Sequence, residues 1–319
     1  MRALASPGSC KGVLSPVGAA IALAAGLREG GADALELPVA DGGEGTAEVI
    51  ALVHSGAWRE ARVTGPLGGE VVARFLVLED GSGVVEAAEA VGLRLVDRPD
   101  PLRASSRGLG ELLLEAAGAT SGRLVVGLGD TATVDGGRGL LEVVGDALAG
   151  RELIGACDVR NPLLGERGAA RAFGPQKGAS PGEVEELERR HAAMDVLRPY
   201  RDLPGAGAAG GLGAALAALG ARLVSGAELV LEAVGFREAL AGADLVVTGE
   251  GTVDRSTFEG KAPGEVVRAC SETGVRCVLF GGRVVERPNG VQVHELPGGP
   301  ERAAEDLVEL GRSLAADRG

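Results

Sequence analysis

Lysine, asparagine, glutamine, histidine and aromatic residues are all scarce in this 319-residue chain. Aromatics make up only 2% of it, so its cores must be built from Leu, Val and Ala. The four cysteines, Cys10, Cys157, Cys270 and Cys277, include no CxxC pair. A chain of this length does not depend on a disulfide framework, and a reducing compartment, the cytoplasm, is the expected location. No run approaches the roughly 18 apolar residues of a membrane span. The apolar run at 19–27 is short, leads into Arg28 and Glu29, and reads as a buried helix face rather than a signal peptide. His54, His191 and His294 are far apart and outside every glycine-rich loop, which argues against a His-based triad or a His-rich metal site. A basic stripe is also missing. At a net charge of −13 the chain offers nothing to a nucleic acid, and an anion site must be made locally from backbone N–H groups and a few cations.

What is present is glycine, 54 residues of it, within a chain that is 45% hydrophobic. That is a globular composition, long enough for two domains with their own cores. The three lysines are Lys11, Lys177 and Lys261, against a total of 32 basic residues, and each adjoins a glycine. A compact ammonium suits a phosphate oxygen in a way that arginine's planar fork does not replace. The three surviving lysines therefore mark positions where the residue type matters.

Along the chain, 2–6 reads as a strand. Ser15 and Pro16 open a helix that stops at Gly30-Gly31, and 34–39 reads as a second strand. The loop at 41–46 then leads into another helix. From about residue 60 the pattern changes to antiparallel strands at 59–65, 70–79 and 82–87, followed by a helix at 106–118 and a strand at 123–128. A charged helix covers 181–195 and an Ala/Leu helix 212–220. The first pattern returns with strands at 244–248, 276–280 and 291–296 and helices at 263–272 and 301–315. The expected fold is α/β: a flavodoxin-like parallel-sheet domain formed by 1–60 plus 239–319, with a second α/β domain, 61–238, inserted into it.

Several loops combine glycine with ionisable or hydroxyl groups: Ser9-Cys10-Lys11-Gly12, Asp41 to Thr46, Ser105-Ser106-Arg107-Gly108, Gly127 to Gly137, and Thr248 to Asp254 with Gly260-Lys261 beyond. The first two fall at carboxyl ends of strands, where open α/β sheets bind ligands, although Asp and Gly are also ordinary turn residues. The loop at 127–137 can present N–H groups to phosphate but lacks the Gly-Lys-Ser/Thr of a Walker A motif. The loop at 157–162 sets Asp158 near Asn161. The run at 204–213 is almost free of side chains, which serves a close anion approach or a tight helix crossing equally well. Without histidine the general base should be a carboxylate, and oxygen ligands favour magnesium over zinc. Together these features point to phosphoryl transfer.

In order along the chain stand VADGGEGT (39–46), SSRGLGEL (105–112), TVDGG (133–137), ACDVRNPLLGERGA (156–169), FGPQKGA (173–179), PGAGAAGGLGAA (204–215) and DLVVTGEG (244–251). On these segments the chain resembles the bacterial glycerate kinase family across nearly its whole length. The resemblance implies phosphorylation of D-glycerate to 2- or 3-phosphoglycerate with ATP and Mg2+, and a flavodoxin-like domain carrying an inserted one. In that setting Arg107 is expected to bind the glycerate carboxylate, with Ser105, Ser106 and Asn161 also at the substrate. Lys11 and Lys177 would neutralise phosphate charge. Asp135 is the expected base and Asp158 the second choice. Gly205, Gly207, Gly210, Gly211, Gly249 and Lys261 would hold phosphate or nucleotide, and Asp41, Glu44 or Glu250 the metal. No nucleic acid or membrane partner is expected, and the oligomeric state is open, a homodimer being one option.

The chain departs from the family pattern in places. The first loop lacks the family's aspartate and reads Pro7-Gly8-Ser9-Cys10-Lys11. In the fourth loop Asp130 replaces a glycine, Thr131 a serine and Val134 an asparagine. Ser256 replaces a glutamine, and a segment is missing between about 145 and 156. A kinase of another small hydroxy acid and a catalytically inactive nucleotide-binding relative are therefore the alternatives.

Overall fold

The computed structural model describes residues 1–10 and 12–317. Among them are eleven strands: β1 Arg2–Ala5, β2 Asp33–Glu36, β3 Gly56–Thr64, β4 Glu70–Leu78, β5 Gly83–Glu86, β6 Leu124–Gly127, β7 Leu153–Cys157, β8 Arg222–Ser225, β9 Leu245–Val253, β10 Arg276–Val284 and β11 Gln292–Glu295. The chain divides into two compact units. Unit 1 comprises 1–41, 48–53 and 227–319, and unit 2 comprises 42–47 and 54–226.

Unit 1 is an α/β layer structure around a five-stranded sheet in the order β2-β1-β9-β10-β11. Every pairing in it is parallel. Counted within the unit, that is the 2-1-3-4-5 order of flavodoxin-like sheets. Alternation along the strands sends successive side chains to opposite faces. Ala3, Ala5, Leu245, Val247, Val278 and Phe280 share one core with Leu23 and Leu27 of the helix Pro16–Glu29 and Leu307 and Leu314 of the helix Ala303–Ala316. Leu4 and Val246 enter the other core, with Val49, Val230, Phe236 and Val266. With both faces covered, the central strands carry apolar runs at 3–5, 245–247 and 278–280. Ser15 caps the first helix, accepting the N–H of Gly18, with Pro16 at the first turn.

Unit 2 holds a six-stranded mixed sheet in the order β3-β4-β5-β6-β7-β8. β3, β4 and β5 pair antiparallel, and β5 to β8 pair parallel. Its core gathers Phe75, Leu109, Leu112, Val126, Leu140, Leu212 and Leu216.

Three local expectations change. The strand expected at 244–248 runs to Val253, because Thr252 and Val253 pair with Arg283 and Val284 on β10. β7 and β8 lie where no strand was anticipated; β7 is a short, wholly buried stretch with Gly155 at its centre. The Ala/Leu helix spans Ala208–Ala218, but Ala209, Gly210 and Gly211 have left-handed backbone, so regular helix begins near Leu212.

Candidate active site

In unit 2 the loops 105–107 and 133–139 are tied together through Asp135. Its Oδ2 accepts from Ser106 N at 2.9 Å, Ser106 Oγ at 2.8 Å and Gly139 N at 3.2 Å, and its Oδ1 accepts from Gly137 N at 3.0 Å. Ser106, fully buried, also accepts the N–H of Leu140 at 3.0 Å. Ser105 Oγ accepts the N–H of Arg107. The exposed Arg107 donates from Nε to Glu111 Oε1 at 2.8 Å, and Glu111 in turn accepts Thr64 N at 2.7 Å. The structure thus brings Ser105, Ser106, Arg107 and Asp135 together on adjoining loops at the starts of the helices Arg107–Ala119 and Arg138–Val144.

Lys177 is buried against the same loop. Its Nζ donates to Thr131 Oγ1 at 2.9 Å and to Thr133 O at 3.0 Å. Burial pulls its pKa from 10.5 down to about 7, with the charges of Asp135 and Asp130 opposing the fall. Asp130 has φ +54°, a left-handed conformation that a glycine adopts freely and that aspartate tolerates better than most residues. Its Oδ2 accepts the N–H of Glu44 at 3.3 Å. The Glu44 carboxylate stands 3.7 Å from Arg94.

Asn161 and the glycine run also meet. Gly207 N donates to Asn161 O at 2.9 Å, and Asn161 Nδ2 donates to Arg167 O at 2.7 Å. A Cβ on Gly207 would come within 2.3 Å of Pro162 O, and one on Gly210 within 2.1 Å of Thr133 O. A Cβ on Gly211 would come within 2.7 Å of Gly136 Cα, and one on Gly205 within 2.9 Å of Cys157 Sγ. Gly207, Gly210 and Gly211 pack backbone on backbone against the loops that carry Asp135 and Asn161. Asp158 is half-buried, and its charge adds to burial in raising the thiol of Cys157 to about 11.

In unit 1 a pocket of about 410 Å³ opens by the loop that follows β1 and by β9 and β10. β1 and β9 are neighbours from which the chain winds outward in both directions, the switch point at which open α/β sheets bind ligands. Glu250, Gly251, Thr252, Asp254, Lys261 and Arg283 line one part of it, and Val13, Leu296, Pro300 and Ala303 another. Glu250 Oε1 accepts from Thr257 Oγ1 at 2.7 Å and Oε2 from Lys261 Nζ at 3.2 Å. Burial raises the Glu250 pKa; Lys261 and the Thr257 hydrogen bond counter this, and Asp41 adds to it. Asp254 Oδ1 accepts Ser256 N at 2.8 Å, and hydrogen bonds from Ser256 hold its carboxyl below the usual range. Gly249 lies in β9, packed on Phe280. Lys11 lies outside the described residues. Among the described residues no group of three or more His, Cys, Asp or Glu side chains is gathered as a metal site.

Sequence reasoning missed three contributors. Glu86, buried at the end of β5, accepts Ala47 N at 2.7 Å and Gly45 N at 3.3 Å and so fixes the loop at 42–47. His191 sits beneath the Asp135 loop with Nε2 2.9 Å from Val134 O. Arg283 reaches the pocket from β10. Only Glu86 carried a signal, as the lone acid closing an apolar strand.

A model of the glycerate kinase family matches residues 3–152 and 144–298. The protein named glycerate 2-kinase in Escherichia coli (strain K12) is 41% identical over 305 residues, covering 82% of this chain and 80% of its own. The glycerate kinase of Bacillus subtilis (strain 168) is 37% identical over an alignment of 371 positions, covering 99% and 97%. The crystal structure of the protein assigned as glycerate kinase 2 in Salmonella typhimurium LT2 superposes with a TM-score of 0.83 at 35% identity, covering 99% of this chain and 97% of that one. The chain belongs to the glycerate kinase family. No described helix is long and apolar enough to cross a membrane.

Proposed function

We propose that this chain transfers the γ-phosphate of ATP to the 2-hydroxyl of D-glycerate, in the cytoplasm. The observation that carries the reading is the convergence of Ser105, Ser106 and Arg107 on Asp135, beside the buried Lys177, within segments that match the family. The 41% identity to a protein named for the 2-kinase activity favours the 2-hydroxyl.

Arg107 is exposed and, among the described residues, its side chain is held by Glu111 alone, so it can exchange that partner for the glycerate carboxylate in a bidentate pair. Ser105 and Asn161 complete the acceptor's polar surroundings. Asp135 takes the proton of the attacking hydroxyl. Of the four donors on Asp135, the Ser106 hydroxyl is the one that can rotate away, freeing Oδ2 for the substrate. Asp158 is the alternative base. Phosphoryl transfer proceeds through a loose transition state, so charge neutralisation matters more than the base. Lys177 supplies it: an arriving phosphate anion draws its half-deprotonated amine to the charged form. Lys11 has the same proposed role. Gly207, Gly210 and Gly211 act by close packing, holding the loops at 133–136 and 161–162 in place, and Gly205 packs on Cys157.

The donor is assigned to the pocket of unit 1, with Lys261 at its phosphates; Gly249, expected there too, is buried in β9 against Phe280 and does not line the pocket. Magnesium keeps several waters and usually takes one or two carboxylates together with substrate phosphates. Glu250 and Asp254, both lining the pocket, fit that donor set, with Asp41 close enough to act on Glu250. Bound there, magnesium would offset phosphate charge. Glu44, which faces Arg94, is a weaker ligand.

Asp130 would argue for a different hydroxy acid if its carboxylate reached the substrate. One of its oxygens instead accepts the Glu44 amide, which gives it a structural task. A coupled ADP-release assay over D-glycerate, L-glycerate, lactate, glycolate and tartronate tests the reading. D-Glycerate should exceed the others by at least tenfold in kcat/KM; turnover favouring another acid would assign a different substrate.

A further inference from the structure

β9 and β10 are nine residues long, whereas β1 and β2 have four. Gly281 stands opposite Glu250, and the register then continues past the rest of the sheet with Arg283 opposite Thr252 and Val284 opposite Val253. The result is a two-stranded ribbon that walls the pocket with Glu250, Gly251, Thr252, Gly282 and Arg283. Paired residues in a sheet share a face and so do residues two apart, so Glu250, Thr252 and Arg283 project to the same side.

The cations at and near this pocket are not equivalent. Lys261 lies 3.2 Å from Glu250 and is already paired with it. Arg276, earlier on the same strand, bonds to Gln292, and Arg287, just beyond it, bonds to the backbone of Val293. The Arg283 side chain has no hydrogen bond or ion pair among the described residues. In a chain with 45 acidic residues against 32 basic ones, a guanidinium left unpaired at a pocket is a ready counter-charge for an anion. Beside it, Gly251 and Gly282 present backbone without side chains, which lets an anion approach closely. The lining also includes the apolar Val13, Leu296, Pro300 and Ala303.

We propose that Arg283 binds the phosphates of the nucleoside triphosphate donor, whose base lies against Val13, Leu296, Pro300 and Ala303. The inference rests on assigning this pocket to the donor. A guanidinium can meet two phosphate oxygens at once, and such charge-assisted bonds are worth about 1.5–3 kcal/mol, or roughly 10- to 100-fold in affinity.

Calorimetry with the full chain and Mg2+ tests this with ATP, ADP and adenosine on the wild type, Arg283→Gln, Arg283→Lys and Val13→Trp. Val13 is exposed at the pocket rim, so tryptophan there should obstruct the pocket without disturbing a core. Arg283→Gln should weaken ATP and ADP about 10- to 100-fold and leave adenosine unchanged. Arg283→Lys, which keeps the charge and loses the fork, should fall between. If Arg283→Gln binds ATP as the wild type does while Val13→Trp abolishes binding, the role of Arg283 is overturned and the pocket assignment stands. An equal loss for adenosine and ATP also overturns it. If both variants bind ATP normally, the pocket assignment fails and the inference with it.

Discussion

Replacing Lys177 by Met should change how stability depends on pH, in a way that reports the buried ammonium directly. Lys177 is 5% exposed, and burial holds its pKa at about 7 against an ordinary 10.5. Between those values the folded amine is mostly neutral while the unfolded one is charged. Unfolding then takes up a proton, so stability rises with pH. The penalty for burying the charge is complete only below pH 7 and fades towards pH 10.5. At about 1.4 kcal/mol per unit, the full shift is worth at most about 5 kcal/mol. From pH 7.5 to 9.5 the wild type should gain about 2 kcal/mol relative to Lys177→Met, every other titration being common to both proteins. The variant also leaves Thr131 Oγ1 and Thr133 O without the lysine donor, a cost that does not vary with pH. Trp58, the single tryptophan, lies on β3 in the same unit, so urea unfolding followed by its fluorescence reads the relevant part of the chain. Parallel stability–pH curves for the two proteins would refute a buried, perturbed lysine.

Other perturbations have equally definite outcomes. Asp135→Asn places an amide among four donors, so the catalytic rate should fall at least about 100-fold and the melting temperature should drop, by a loss of about 1–3 kcal/mol. Arg107→Gln should raise the KM for glycerate about tenfold or more and leave the KM for ATP unchanged in steady-state assays. Gly210→Ala should destabilise the chain by more than about 1 kcal/mol in thermal melts, since φ is +72° and the new Cβ would strike Thr133 O. Burial lowers the His191 pKa, so the unfolded state protonates first and stability is lost as the pH falls below about 6.5; His191→Gln should flatten that acid limb in pH-dependent unfolding.

The parts of this fold that were legible in the sequence are those whose signals are local. Ser15-Pro16 and Gly30 frame the first helix, and apolar runs mark β1, β9 and β10. The end of β9 was not legible, because Gly-Glu-Gly reads as a turn and becomes strand only by pairing with β10. β7 escaped because Ile154 is its one β-branched residue and the Gly155-Ala156-Cys157 that follows lacks the character that marks a strand. At the site, rarity made Lys177 and Lys261 conspicuous, whereas Arg283 was hidden among many arginines. The link from Ser106 to Asp135 spans 29 residues and exists only in the folded chain. The glycines at 205–211 were visible, but only the structure shows that their missing side chains are replaced by neighbouring backbone.

The account stands most directly on the product of a single reaction. The full-length protein, incubated with D-glycerate, ATP and Mg2+, should yield ADP and 2-phosphoglycerate in equal amounts by phosphorus and proton NMR. A phosphate on the 3-hydroxyl, or ADP formed without any phosphorylated glycerate, would contradict it.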